Sequence, residues 1–218
     1  MEIQTVAKQK RDAEATKEKI LLSAVTLFSK NGFDATTGDD IAKGSGVNKA
    51  LIYYYFKNKA GLYEAVMSTL FDSIYTEVTN AQKRCNSTIE ELRAFIETYA
   101  NYAQKHSYFP ALLLRELSDS GAHLPEMMFA SMRRLFLLLS DILRRGEAEG
   151  VFKKSIPMVL HFMIIGSLNL LVTTQPLRVK AMEIDDKVDT CSECPMDEIA
   201  KYIFNTIKTV LQIKNEEG

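Results

Sequence analysis

The sequence has few of the residues that interrupt helices or cross-link chains. Its 218 residues include ten glycines, five prolines, three cysteines and no tryptophan. So few glycines and prolines favour long helices joined by short loops, and no strongly alternating apolar pattern indicates strands. We therefore predict an all-α fold. Three cysteines are too few for a disulfide framework.

Long apolar runs are also missing. The longest apolar stretch, residues 158–172, is interrupted by His161 and Asn169, and it is shorter than the roughly 20 residues that a membrane-spanning helix needs. The amino terminus is polar and has no apolar signal core. We therefore expect no membrane span and a cytoplasmic protein.

The residue patterns typical of catalytic and metal sites are missing too. The sequence contains no nucleophile and base pair, phosphate-binding loop or metal-ligand cluster. We expect neither an enzyme nor a bound cofactor or metal. Cys191 and Cys194 form one isolated CxxC pair, whereas a zinc site normally needs four ligands. Incidental thiols are the favoured interpretation, and a metal or redox role is the open alternative.

Charge is divided unevenly along the chain. Residues 1–60 contain ten Lys or Arg against seven Asp or Glu, while the remainder contains seventeen against twenty-one, and the whole chain has a net charge of -1. The positive amino-terminal segment predicts contact with a polyanion, and the larger acidic segment predicts a different role.

Apolar spacing predicts four helices in the amino-terminal part. The first covers residues 13–31, and the second is short, opened by the capping sequence at Thr37–Asp40 and closed at Gly44 or Gly46. The third follows Gly46, and the fourth extends to about residue 80.

The rest of the chain predicts a larger helical body. Further helices are expected from Thr88 through Tyr102, around residues 112–117, over 127–149 and 155–177, and from Pro195 onward. The helix over 155–177 is apolar nearly all round, and the last helix has an apolar stripe beyond what a monomer needs. We predict a homodimer in which these two helices pack against their copies. The predicted interface residues are Ile199, Ile203, Ile207, Val210 and Leu211.

The two short helices with a glycine-containing turn between them predict a helix-turn-helix unit over residues 37–56, whose second helix lies in the DNA major groove. The run Gly46–Lys59, GVNKALIYYYFKNK, combines three tyrosines with lysines. Lysines neutralise phosphates, and a tyrosine donates its hydroxyl to a phosphate while its ring covers sugar or a thymine methyl. Double-stranded DNA is the predicted partner.

The run Thr36–Tyr63, TTGDDIAKGSGVNKALIYYYFKNKAGLY, resembles the amino-terminal domain of the TetR/AcrR family of transcriptional regulators. The resemblance covers about residues 14–74, and the rest agrees only in layout. It implies a helix-turn-helix DNA-binding head over 14–74 and a helical effector-binding and dimerisation domain over 75–218. Three positions depart from the family's pattern. Gly38 stands where an apolar or polar side chain is usual, Ala50 where glycine is commonest, and Tyr55 where histidine is commonest.

The resemblance also implies individual DNA contacts. Thr37 would touch a phosphate, Lys49 and Ala50 would approach bases, the tyrosines would flank the groove, and Lys59 would hold the opposite backbone. Two alternatives stay open: Tyr55 is partly core, and Asn48 serves mainly as the N-cap of the third helix, which is the favoured interpretation. The predicted DNA-binding residues are Thr37, Asn48, Lys49, Ala50, Tyr53, Tyr54, Tyr55, Lys57 and Lys59.

These features predict a ligand-responsive transcriptional regulator, a repressor that binds a palindromic operator as a dimer and is released by a small hydrophobic effector. Met and aromatic positions are usually plain core, but they also suit an adaptable pocket. The candidate effector-binding residues are His106, Phe109, Met128, Met132, Phe136, His161 and Phe162. The alternative is a DNA-anchored interaction protein whose helical body binds a protein partner and no small molecule.

Overall fold

The computed structural model describes residues 2–184, 191 and 193–212, and their side chains from Arg11 onward except at residue 127. Over these residues the secondary structure is helical, apart from one isolated bridge between Phe152 and Gln212. The all-α prediction is confirmed. The helices are α1 Glu2–Ala35, α2 Gly38–Ser45, α3 Lys49–Phe56, α4 Lys59–Gln82, α5 Thr88–Lys105, α6 Tyr108–Ser118, α7 Glu126–Ala148, α8 Pro157–His161, α9 Ser167–Thr173, α10 Gln175–Ile184 and α11 Met196–Leu211; a π-helical segment, Phe162–Gly166, joins α8 to α9.

The first compact unit comprises the chain up to Leu70 together with Ala111–Phe129. It contains α1, α2, α3 and parts of α4, α6 and α7. α2 packs against α1 and α3 against α2. Burial of apolar side chains from these helices forms one core that holds the helix-turn-helix in place. That core includes Ile20, Ala24, Phe28, Ile41, Ile52, Leu62, Val66 and Leu112.

The second compact unit comprises Phe71–Pro110 and the chain from Ala130 onward. α11 packs along α5, and the guanidinium of Arg93 lies 4.6 Å from the centre of the Phe204 ring. Inside the core, the Tyr99 hydroxyl donates to Oδ1 of Asn169 at 2.9 Å. This buried amide oxygen is therefore satisfied by a partner, as a stable core requires.

The two compact units divide the chain at other positions than the domain boundary at residue 74 that the sequence suggested. α4, α6 and α7 each contribute to both units, and Ala111–Phe129 joins the unit that contains the helix-turn-helix. The segment that ends α6 and begins α7 is thus part of the helix-turn-helix core in terms of packing.

Within the described part of the chain, no single helix is both long and apolar enough to cross a membrane. The helices Pro157–Thr173 and Gln175–Ile184 reach that length and apolar composition only when they are counted together, and they are bent by 62° relative to each other.

Candidate nucleic-acid interface

Thr37 begins α2 with a capping box. Its hydroxyl accepts a hydrogen bond from the Asp40 backbone N–H at 3.2 Å, and the Asp40 carboxylate accepts one from the Thr37 backbone N–H at 3.1 Å. The hydrogen bond from the Thr37 hydroxyl lowers the pKa of Asp40. The cap predicted from the Thr37–Asp40 spacing is confirmed. Thr37 itself is exposed at the start of α2, where backbone N–H groups attract phosphate.

The turn between α2 and α3 determines which face of α3 points away from the core. Gly46 has φ 68°, a left-handed conformation that glycine adopts without steric cost. Asn48 then caps α3, its Oδ1 accepting a hydrogen bond from the Ala50 N–H at 2.8 Å, so the capping interpretation is confirmed. Ile52 is completely buried. The opposite face of α3 is consequently presented to solvent.

That outward face carries Lys49, Ala50 and Tyr54, and Lys57 follows as the C-cap residue of α3. Tyr54 is 78% exposed, Ala50 and Lys57 are also exposed, and Lys49 is half-buried. The Tyr54 ring meets the half-buried Tyr55 ring edge to face, with 5.4 Å between the ring centres. An exposed phenol beside lysines offers a hydroxyl for phosphate and a ring for sugar or a thymine methyl.

Tyr53 lies in a different environment from Tyr54. It is half-buried, and its hydroxyl lies against Gly38 at the start of α2. A Cβ added to Gly38 would collide with that hydroxyl and lie 3.0 Å from Cζ of the ring. The Tyr53 ring thus occupies the space that a side chain at position 38 would need, which explains why glycine replaces the larger residue of the family's pattern.

Lys59 has a structural role that the sequence did not indicate. Its ammonium donates to the backbone oxygens of Phe33 at 3.0 Å and Asp34 at 3.3 Å, and it lies 4.3 Å from the centre of the Phe33 ring. Both carbonyls lie just after Gly32, whose backbone (φ 84°, ψ 174°) breaks the helical course of α1, so the ammonium satisfies carbonyl groups of the turn that follows this break. A phosphate contact by Lys59 would have to compete with these bonds.

Lys49 is paired within the protein. Its ammonium lies 2.8 Å from Oδ2 of Asp39 in an exposed ion pair, and the hydrogen bond to Asp39 raises the pKa of Lys49. Exposed pairs of this kind contribute little to stability. Lys49 can therefore exchange Asp39 for an acceptor on DNA at small cost.

The candidate effector residues differ in their burial and in their ring contacts. His106 and Phe109 belong to an aromatic cluster in the second unit, where Phe109 is fully buried and packs edge-on against Tyr99 and Tyr102. Burial lowers the pKa of His106, and its Nδ1 lies 2.7 Å from the Tyr108 hydroxyl.

The remaining candidates have different surroundings. Phe136 and His161 form a separate edge-on ring pair, with centres 5.4 Å apart, and Met132 is half-buried. Met128 is buried in the first unit rather than the second, and Phe162 points outward at 62% exposure. The seven candidates therefore differ in exposure and in the compact unit to which they belong, and their role in effector binding stays a prediction.

The predicted dimer stripe on α11 needs correction. Ile207 and Leu211 are 2% and 1% exposed within a single chain, because this face of α11 packs along α5. They are core residues and cannot form a subunit contact. Val210 is exposed, whereas Ile199 and Ile203 are half-buried. The outward face of α11 also carries Tyr202, 75% exposed, which the apolar-stripe argument missed because it counted only aliphatic residues.

Cys191 and Cys194 are joined by a disulfide bond, so in this structure they are not free thiols. Cys85 remains a free thiol, and burial raises its pKa. Within the described ranges, no group of three or more His, Cys, Asp or Glu side chains is arranged to hold an ion.

Two family models match the sequence. The model described as "Bacterial regulatory proteins, tetR family" matches residues 20–66, and the model described as "Tetracyclin repressor-like, C-terminal domain" matches residues 89–186. The first match contains α2 and α3, and the second covers most of the helical body.

Curated relatives are regulators of transcription. The chain is 29% identical over 164 residues to the probable HTH-type transcriptional regulator YttP of Bacillus subtilis strain 168, covering 74% of this chain and 79% of YttP. It is 40% identical over 80 residues to IcaR, the negative transcriptional regulator of the biofilm operon icaADBC in Staphylococcus aureus strain Newman, covering 37% of this chain and 43% of IcaR.

Solved structures share the fold. A TetR family transcription regulator from Marinobacter aquaeolei VT8 superposes with a TM-score of 0.72 at 19% identity, and the match covers 95% of this chain and 100% of that regulator. FadR from Bacillus subtilis, solved in complex with stearoyl-CoA, superposes with a TM-score of 0.70 at 21% identity, covering 88% of this chain and 98% of FadR.

Proposed function

The chain belongs to the TetR family of bacterial transcriptional regulators, and from this premise we propose that it is a repressor. In this proposal two copies bind a palindromic operator through α3, and a small hydrophobic ligand in the helical body releases them. The relatives are regulators of transcription. A repressor works where the operator DNA is, which in a bacterium is the cytoplasm.

The orientation of α3 is the observation that supports the proposed DNA binding. Asn48 starts the helix and Ile52 anchors its inner face, so Lys49 and Tyr54 are directed outward together, and the exposed Lys57 follows at the end of α3. A short helix with an outward basic and aromatic face suits the major groove. We assign direct contact to this face and phosphate contact to Thr37 at the start of α2.

A second copy of the chain is the proposed occupant of an apolar face on the second unit. Phe162, Met163 and Leu170 are 62%, 47% and 52% exposed on the π-helical segment and α9. Met163 and Tyr202 line one shallow pocket of about 110 Å³, so this surface is continuous with the outward face of α11. A monomer would leave the combined patch in water, whereas a two-fold dimer buries it. One short recognition helix reads few base pairs, and pairing doubles that number.

We place the polar end of the effector beside His161. Nδ1 of this ring is buried and has no hydrogen-bond partner within the described part of the chain. Burial also lowers the pKa of His161 to about 4, so the ring is neutral near pH 7. A buried polar atom without a partner is costly unless another group satisfies it. The neighbouring Phe136 ring would contact the apolar part of the ligand.

The fold itself accommodates a long apolar ligand elsewhere in the family, because FadR from Bacillus subtilis was solved with stearoyl-CoA. This supports screening compounds with an apolar chain and a hydrogen-bonding head. A ligand releases the operator only if it binds the DNA-incompetent state more tightly, and a tenfold loss of operator affinity requires about 1.4 kcal/mol of such preference.

The experiment is a reciprocal titration. Hydrophobic compounds are screened by thermal shift, and each binder is titrated into the protein with and without operator DNA. Linkage requires that the operator weaken ligand binding by the same factor by which the ligand weakens operator binding. A His161→Leu variant should bind the ligand less tightly and keep its operator affinity, whereas His106→Leu is the matched control that retains the ligand response.

Equal ligand affinities with and without operator, for every binder, would contradict the effector proposal. That result would instead favour the interaction protein whose body binds another protein and no small molecule. DNA binding through α3 would stand in either case, because it rests on different residues.

A further inference from the structure

A pocket in the first unit is not used by the proposed regulatory cycle. It has a volume of about 330 Å³ and lies between the last turn of α1 and the end of α6, with Asp34, Arg115, Glu116, Asp119 and His123 among its walls. This volume is at the lower end of the range of small-molecule sites. We propose that the pocket binds a small organic cation that carries several N–H donors, such as an amidine or an amine.

Glu116 is the first reason to infer a ligand here. The residue is only 2% exposed, and one carboxylate oxygen, Oε1, accepts a hydrogen bond from the Tyr63 hydroxyl. The other oxygen, Oε2, is buried and has no hydrogen-bond partner among the described residues. Leaving a buried acceptor unpaired is costly, more so for a charged group. A donor from a molecule in the pocket that Glu116 lines would remove this cost.

The tyrosine contact shows why the carboxylate is held in place. Burial, followed by the hydrogen bond to Glu116, raises the pKa of Tyr63 well above its usual range, so its hydroxyl stays a donor. Tyr63 is itself 1% exposed and packs edge-on against Phe28 and Phe33. Glu116 is thus fixed on one side by the aromatic core, and its second carboxylate oxygen is the one left without a partner among the described residues.

The charge of the pocket favours a cation. Asp34 and Asp119 add two carboxylates to that of Glu116, and His123 lies between them, its Nε2 and Nδ1 each 3.4 Å from one of the two aspartates. Arg115 is the opposing charge, but it donates to the backbone oxygen of Lys30 at 3.2 Å. By formal charge, the three acidic groups outnumber Arg115 and the nearby Lys59, whose ammonium donates to the backbone oxygens of Phe33 and Asp34. The pocket keeps an excess of negative charge, which attracts a positive ligand.

A flat apolar wall completes the pocket. The Phe33 ring stacks on the His123 ring with centres 4.7 Å apart, and both residues line the pocket. Planar cations with an aromatic body suit such a wall, because they combine stacking with directed N–H donors. The inferred class is therefore an aromatic or otherwise planar organic cation rather than a bare metal ion.

Three probes of one shape and different charge test the inference directly. Benzamidine is cationic, benzamide is neutral and benzoate is anionic, and each is titrated into the full chain by calorimetry. We expect benzamidine to bind at least about tenfold more tightly than the other two. The location is read by NMR, because the chain has only three histidines, and the His123 ring signals should shift while those of His106 and His161 stay in place.

Variants separate this site from nonspecific attraction. Glu116→Gln and Asp119→Asn should each weaken benzamidine binding severalfold, whereas Glu126→Gln removes an equal charge from the same unit outside the pocket and should leave binding unchanged. Asp119 is 60% exposed, so its variant serves even if Glu116→Gln folds poorly. Equal binding of the three probes, no shift of the His123 signals, or unchanged binding in Asp119→Asn would each overturn the inference.

Discussion

Replacing Lys59 with methionine tests whether this residue holds α1 or DNA. The side chain keeps its methylenes but loses the ammonium that donates to the carbonyl oxygens of Phe33 and Asp34 at 3.0 and 3.3 Å. We expect the change to destabilise the first unit and to leave the salt dependence of operator binding unaltered. The family's pattern predicts the opposite result, a phosphate contact with little effect on stability.

The magnitude follows from the contacts. Hydrogen bonds to a charged group contribute about 1.5–3 kcal/mol, and a cation over an aromatic ring at a partly exposed site contributes about 0.5–1 kcal/mol. These contributions overlap because they share one ammonium, which is half-exposed. The expected loss in the free energy of unfolding is therefore about 2 kcal/mol, near the middle of the hydrogen-bond range.

Urea unfolding of the full chain measures this loss as a lower midpoint at an unchanged slope. The matched control is Lys57→Met, because Lys57 is exposed at the end of α3. The control should change stability by no more than about 0.5 kcal/mol. It should lower the dependence of log K on log salt by about 0.9 for one lost phosphate contact.

A Lys59→Met protein with parental stability and a salt dependence reduced by about 0.9 would refute this reasoning. It would mean that Lys59 leaves the carbonyl oxygens of Phe33 and Asp34 when DNA binds, and that its contacts to them contribute little.

Three further results are expected. Tyr54→Ala should cost about 1–3 kcal/mol in operator affinity, with an unchanged urea midpoint, in a fluorescence anisotropy titration; parental affinity would remove Tyr54 from the interface. Tyr202→Asp should yield folded monomers by light scattering, whereas Ile207→Asp should unfold the chain by circular dichroism because Ile207 is 2% exposed; a folded Ile207→Asp monomer would contradict this. For His161, burial lowers the folded-state pKa from 6.5 to about 4, so the unfolded state takes up the proton first as pH falls through this interval. Unfolding free energy should then drop by about 1–3 kcal/mol between pH 6.5 and 4, and a His161→Leu variant that loses as much would contradict the assignment.

The local features of the site were predictable because they depend on short sequence separations. The capping box at Thr37 involves a residue three positions away, and the Asn48 cap involves one two positions away. Ile52 follows from helical periodicity. These features could be read from the order of residue types alone, and they determine which side of α3 faces outward.

Other features depend on packing partners that are distant in the chain. Lys59 contacts carbonyls 25 and 26 positions earlier, and no local pattern encodes such a contact. The stripe on α11 indicated correctly that one face is apolar, but periodicity does not say whether that face meets α5 of the same chain or another subunit. Gly38 was recognisable as a departure from the family's pattern, yet its reason required the position of the Tyr53 ring.

Selection from a random double-stranded DNA library tests the central claim most directly. The full chain is mixed with the library, bound DNA is recovered over several rounds, and the enriched sequences are aligned. A dimer with one α3 from each subunit in the major groove predicts an inverted repeat whose half-sites are separated by about one helical turn, roughly 34–36 Å, or a multiple of it. Tyr54→Ala should fail to enrich the same repeat. No enrichment, or enrichment of a single unrepeated half-site, would contradict the account of a dimeric DNA-binding regulator.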